Sequence, residues 1–216
     1  MMTMAPLCDM MVPLSNKKGK AMVSYIGVDV ETTGLEESEH DIIELGIVLL
    51  NESLQPIKSF SSVIKPDDVD KTIEKMSEYV YDMHMETGLI SELEGAPSLS
   101  SVEKMACDFL VDNDAVCLPL VGSSITLDRN FIREHLPSLY GLIHYQSIDA
   151  TSLRIAANTT GCSNSDIYGW SEDYFEMMFE NSDEDFIGKE HRVIYDILKS
   201  VSLIKASIAL ITAPPF

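Results

Sequence analysis

VDVETTGL, residues 28–35, ends the first β-prone run of the chain, and its two acids decide how the surrounding sequence is read. The run AMVSYIGVDVE (21–31) is apolar on both faces until it reaches the carboxylates, which suits a central strand covered on both sides. Side chains two apart on a strand point the same way, so Asp29 and Glu31 crowd one spot at the strand end. Two such charges are costly together unless they share a proton or a cation. A solvated strand face would relieve them, but the apolar run that precedes them predicts no such face. A metal-binding pair is therefore expected.

Further along, DIIELGIVLLN (41–51) reads as a second strand and SLQPIKSFSSVIKP (53–66) as a third, with Pro56 marking a kink or a sheet edge. Three runs at short spacing predict an antiparallel meander. The period then changes: Val69, Ile73, Met76 and Val80 recur at helical spacing, and a helix over about 99–112 would turn Val102, Met105, Phe109 and Leu110 inward. AVCLPLVGS (115–123) is a further buried strand. ITLDRNFIREHLP (125–137) is a helix closed by Pro137, HYQSIDA (144–150) a strand and TSLRIAANT (151–159) a helix. HRVIYDILKSVSLIKASIAL (191–210) is a strong amphipathic helix stopped by Pro214 and Pro215. Strands first, then alternating helix and strand, predict an α/β domain of three layers around a mixed sheet. That domain spans 21–212. A flexible Met-rich arm covers 1–20, and a polar, acidic, turn-rich insertion covers about 158–190.

The 216 residues, 45% of them hydrophobic, suit one such domain. Asp and Glu number 35 against 15 Lys and Arg, a net charge of −20. This excludes the usual nucleic-acid binder with a broad basic face. It leaves open an enzyme that holds a short phosphate chain through metal ions, which bring their own charge. Cys8, Cys107, Cys117 and Cys162 form no CxxC pair and read as reduced packing thiols. The apolar start MMTMAPLCDMMVPL has no basic residue before it, and the late apolar run near 201–212 contains Lys205 and is too short to span a bilayer. A soluble, cytoplasmic protein without membrane association is expected.

Two further features carry chemistry. Asp128 lies near the start of the 125–137 helix, where an acid alone would do no more than stabilise the helix dipole. His191 precedes Asp196 by five residues, so the two are neighbours if the His sits on the loop entering the last helix. Taken together, DxE on a first strand, Asp on a middle helix and HxxxxD at a late helix resemble the DEDDh 3′–5′ exonucleases of the ribonuclease-H-like superfamily. Asp29, Glu31, Asp128, His191 and Asp196 match in order and spacing. MSEYVYDMHMETGL (76–89), VGSSITLDRNFIREHLPSL (121–139) and HYQSIDATSL (144–153) are similar specifically to the oligoribonucleases. The resemblance covers about residues 24–210.

The resemblance implies a ribonuclease-H-like fold with a central five-stranded mixed sheet, and a two-metal 3′–5′ exoribonuclease that degrades short single-stranded RNA to nucleoside 5′-monophosphates. It implies that Asp29 bridges two divalent cations, Mg²⁺ or Mn²⁺. Glu31 and Asp196 complete the first site, Asp128 holds the second, and His191 acts as general base. By the same resemblance Leu35 is a hydrophobic wedge between the bases. Tyr79 stands where the family usually has Trp, and His84 matches a substrate-contacting His. Ser124 and Thr151 match positions that cap the 5′ phosphate. Tyr145 matches a Tyr that reaches into the partner's site of a homodimer. One departure is plain: the cap Arg of the family is Gln146 here, which lacks the charge and the fork that grip a phosphate. Two rival readings follow, a DEDDh exonuclease acting on DNA or longer RNA, and an inactive binding module that uses the acidic segment as its interface.

Overall fold

The computed structural model describes residues 22–179 and 190–212. The arm expected at 1–20 and the end of the expected acidic insertion, 180–189, lie outside the described residues. The chain opens with strands β1 (Tyr25–Thr32), β2 (Ile42–Leu50) and β3 (Pro56–Val63). Helices α1 (Val69–Glu74), α2 (Glu78–Thr87), α3 (Leu89–Glu92) and α4 (Leu99–Asp112) follow. Then come β4 (Leu120–Gly122), α5 (Thr126–His135), α6 (Pro137–Tyr140) and β5 (Ser147–Asp149). The described residues close with α7 (Ala150–Thr159), α8 (Asn164–Phe179) and α9 (Val193–Thr212).

The five strands form one mixed sheet in the order β3-β2-β1-β4-β5. The meander β1-β2-β3 is antiparallel, and β4 and β5 run parallel to β1. This is the three-layer α/β architecture that the sequence predicts, with β1 at its centre and Pro56 starting an edge strand, where a missing N–H costs least.

Alternation along β1 divides its side chains between two cores. Ile26, Val28 and Val30 pack with Val102, Ala106 and Leu110 of α4 and with Phe131 and Ile132 of α5. On the other face Val48 and Val121 pack with Val193, Ile197 and Val201 of α9. Asp29 and Glu31 have the parity of Gly27, and Gly27 lies against α9: a Cβ built there would come within 2.5 Å of Ile197. Gly46 of β2 makes the same approach, its Cβ position 2.5 Å from the Cβ of Val193. Two absent side chains thus let the start of α9 lie close on β1 and β2, with Asp196 in its first turn.

Four details differ from the sequence reading. The helical period over 69–80 is broken between α1 and α2, because the Ser77 side chain accepts the N–H of Val80 and starts a new helix. Met105 is exposed on α4, while Ala106 takes the inward place. Much of the expected turn-rich insertion is helix α8, docked on α9 through a buried Ser171–Ser202 hydrogen bond of 2.9 Å and edge-to-face packing of Phe175 on Tyr195. Finally, Cys107 and Cys162 are free as expected, whereas Cys117 is disulfide-bonded.

The close approach of α9 gives a test. Gly46→Ala is expected to destabilise the fold by about 1–3 kcal/mol, the usual cost of overpacking. Gly95→Ala, where a Cβ meets nothing within 4 Å, should stay within about 0.5 kcal/mol of the parent. Urea denaturation of the two variants checks this, and equal stabilities would contradict the packing described.

Candidate active site

The site forms where β1 outruns its neighbour. β4 pairs with β1 only at Ile26 and Gly27, so the strand end that carries Asp29 and Glu31 lacks a parallel partner. The N–H of Val30 there donates to Asp128 Oδ1 at 3.1 Å, which ties the first turn of α5 to the strand. On the other side Glu31 stands opposite Glu44 of β2, just before a break in register between Glu31 and Thr32. Such irregularities are common beside active sites, where they re-aim side chains.

Carboxylate oxygens of Asp29, Glu31 and Asp196 all lie within 4.8 Å of one another. Glu31 is buried, while Asp29 and Asp196 keep an open edge. Asp128 is outside this group of three but close enough to repel Asp29. Asp128 and Asp196 each occupy the first turn of a helix, where the dipole favours negative charge. That help is small beside the crowding. Burial, then repulsion from Asp128, Glu31, Asp196 and Glu44, raises Asp29 well above the carboxylate range. Burial with Asp196 and Glu44 nearby pushes Glu31 up to about 8, although Arg192 opposes this. Burial lifts Asp128 to about 7 against the Val30 hydrogen bond, and Asp196 to about 6 against His191.

All these donors are oxygens, and the nearby guanidinium of Arg192 is already engaged. Its Nε and Nη2 donate to the two oxygens of Glu44 at 2.8 Å, and its Nη1 donates to Glu92 at 2.9 Å. The crowded acids therefore fit a hard divalent cation, which would replace the protons that they otherwise hold. His191 is exposed on the turn before α9 at φ 55°, a left-handed conformation unusual for a residue other than glycine. Its charge lowers the pKa of Asp196, so the two are neighbours as the spacing predicts.

The remaining residues singled out in the sequence surround this centre unevenly. His84 is fully buried behind it. Its Nε2 donates to the Thr32 carbonyl at 3.0 Å, while Nδ1 has no hydrogen-bond partner and lies 3.9 Å from Glu31. Burial lowers its pKa, so the ring is neutral at neutral pH. Leu35 and Tyr79 are exposed at 73% and 76%. Ser124 and Thr151 are joined at 3.1 Å and line a cavity of about 730 Å³ with Asp149 and Ser152. Gln146 and Tyr145 are exposed outside the lining of that cavity. Glu44, Glu92 and Arg192 escaped the sequence reading. The available signal was Glu44 itself, an acid inside the apolar run of β2.

Comparison with known proteins agrees with this geometry. Residues 26–204 match the exonuclease family RNase_T. The chain belongs to this family. It is a 3′–5′ exonuclease, and the resemblance read from the motifs holds. It is 30% identical over 179 residues to the oligoribonuclease of Leifsonia xyli, covering 82% of this chain and 78% of that one. Against the oligoribonuclease of Streptomyces coelicolor the identity is 26% over 180 residues, 82% of this chain and 81% of the relative. In structure it is similar to Escherichia coli exonuclease I bound to a dA13 oligonucleotide, with a TM-score of 0.52 at 12% identity. That match covers 85% of this chain but only 40% of exonuclease I, and it bears on the fold alone.

The raised carboxyls predict how stability depends on pH. Each binds its proton more tightly folded than unfolded. Between the ordinary carboxylate range near pH 4 and the value of about 8 at Glu31, the folded chain holds protons that the unfolded chain has lost. Their contribution to stability therefore falls as pH rises through that window. In chelator, Asp29→Asn is expected to raise the melting temperature more near pH 8 than near pH 5, because burial and the neighbouring acids raise the Asp29 pKa and make its charged form costly. Millimolar Mg²⁺ should stabilise the parent more at the higher pH. A variant with the same shift at both pH values would contradict this.

Proposed function

We propose that this exonuclease is a two-metal 3′–5′ exoribonuclease that degrades short single-stranded oligoribonucleotides to nucleoside 5′-monophosphates. The observation that carries the proposal is the convergence of Asp29, Glu31 and Asp196, with Asp128 beside them and His191 at the open rim. In this reading Asp29, Glu31 and Asp196 hold one cation, and Asp29 and Asp128 the other. Oxygen-only donors favour Mg²⁺ or Mn²⁺. Bound cations supply positive charge at the scissile phosphate and a more acidic water. His191, exposed at the open rim, would accept the proton of the attacking water and later return it to solvent.

The two exposed side chains support a substrate with few bases. Leu35 stands on a tethered loop: His135 Nε2 donates to the Glu37 carbonyl at 2.8 Å, and Thr33 is hydrogen-bonded to His40 at 3.1 Å. A wedge needs such rigidity. Tyr79 offers an aromatic face for stacking. His84 contacts substrate only by way of its neighbours Thr32 and Glu31 unless binding opens the pocket. Ser124 and Thr151 would receive a 5′ phosphate in their cavity, and the net charge of −20 would disfavour a long polyanion. The name shared by the curated relatives supports RNA. The neutral Gln146 favours the second reading, in which DNA or longer RNA is also accepted. We further propose a cytoplasmic homodimer in which Tyr145, 70% exposed and tilted on His144 with ring centroids 4.4 Å apart, meets the partner. Light scattering that finds a monomer at micromolar concentration would remove that part. No helix among the described residues is long and apolar enough to cross a membrane.

The test is degradation of 5′-labelled RNA and DNA of two to twenty nucleotides with Mg²⁺ or Mn²⁺. RNA of two to about seven nucleotides should be cleaved faster than twenty-mers, and Asp29→Ala should lose more than about nine-tenths of the rate. Equal rates on RNA and DNA at all lengths would favour the second reading. Near-parental turnover by Asp29→Ala would refute the metal site.

A further inference from the structure

A general base at His191 must be held in place on its turn. Its backbone sits at φ 55°, a conformation that the surrounding structure must impose, and it lies one residue before Arg192 and two before the start of α9. Residues 180–189 before it are outside the described structure. The His191 N–H donates to the Asp196 carboxylate, and a second tether is the side chain of the next residue. Arg192 reaches away from the turn with its side chain only 16% exposed and makes four hydrogen bonds to two carboxylates on two different elements. Nε and Nη2 fork onto Glu44 of β2, both at 2.8 Å. Nη1 and Nη2 meet Glu92 at the end of α3, at 2.9 and 3.2 Å.

This contact does more than join surfaces. Glu44 is 3% exposed and stands directly across from Glu31, so the anchor point of the turn is the strand position next to the metal-binding acids. A planar fork with bidentate bonds fixes orientation as well as distance. The same fork occupies both Glu44 oxygens, which keeps a further acid out of the cation site. We propose that Arg192 is the positioning residue of the catalytic base: it pins the turn carrying His191 to β2 and α3 through Glu44 and Glu92. The inference rests on the proposed role of His191.

A double-mutant cycle separates positioning from mere stabilisation. Single-turnover rates on a short 5′-labelled oligoribonucleotide with saturating Mn²⁺ would be measured for the parent, Arg192→Met, His191→Ala and the double variant. Arg192→Met is expected to lower kcat about tenfold to a hundredfold, with KM changed less than about threefold, because the base is displaced while saturating Mn²⁺ keeps the cation site filled despite the freed Glu44. In the His191→Ala background the same change should cost less than about threefold, since there is no base left to misplace. Arg192→Lys should recover thermal stability more than kcat, because one ammonium cannot reproduce the two-carboxylate fork. If Arg192→Met fails to fold, Glu92→Gln replaces it in the cycle and should show the same coupling with a smaller effect. Equal losses in both backgrounds, or full kcat in Arg192→Met, would overturn the proposal. Full kcat in His191→Ala would instead refute the role of His191 itself, so the two failures are distinguishable.

Discussion

Repulsion among the carboxylates at the end of β1 is the constraint around which this domain is organised. Asp29, Glu31, Asp128 and Asp196 come from one strand and two helix starts, and each is raised in pKa by burial and by its neighbours. A fold that sought stability alone would separate them. Here the separation is prevented structurally. Strand alternation fixes Asp29 and Glu31 on one face, the Val30 N–H holds Asp128, and glycines at 27 and 46 let α9 bring Asp196 close. The cost is carried by the rest of the domain, chiefly by the two cores that cover the sheet.

The cations that such a cluster accepts are also what makes it chemically useful. Four acids gathered without cationic partners form a poor fold element and a good binding site for hard ions. Arg192 is the exception that sharpens the point. It is consumed by Glu44 and Glu92, so it moderates Glu31 without neutralising the cluster. Helix α8 has a supporting part in this arrangement. It packs along α9 through Ser171, Phe175 and Met178, and so backs the helix that delivers Asp196.

The acid cluster was legible in two ways: Asp29 and Glu31 stand out by their two-residue alternation at the end of an apolar run, whereas Asp128, His191 and Asp196 carry weak local signals and stand out through the resemblance to the DEDDh exonucleases. The antiparallel meander followed from short apolar runs, and Pro56 marked a kink or an edge, which is the edge strand β3. The illegible parts depend on contacts remote in sequence. Arg192 and Glu44 are 148 residues apart, and no periodicity links them. Helix α8 was hidden by its acidic, mixed composition, since its buried stripe of Ile167, Ser171 and Met178 includes a polar residue paired to Ser202. The break at Ser77 was hidden in the opposite way, because apolar spacing ran across a capping residue. Cavity and cap positions such as Ser124 and Thr151 came from resemblance, because isolated hydroxyls carry no pattern of their own.

If the clustered acids hold protons, divalent cations that bind them must displace those protons. Calorimetric titration of Mn²⁺ into the metal-free protein at neutral pH, repeated in two buffers of different ionisation enthalpy, measures that displacement directly. About one proton or more should be released per protein, and the release should largely disappear in Asp29→Asn. Tight Mn²⁺ binding with no proton release, or a release unchanged by Asp29→Asn, would contradict that displacement.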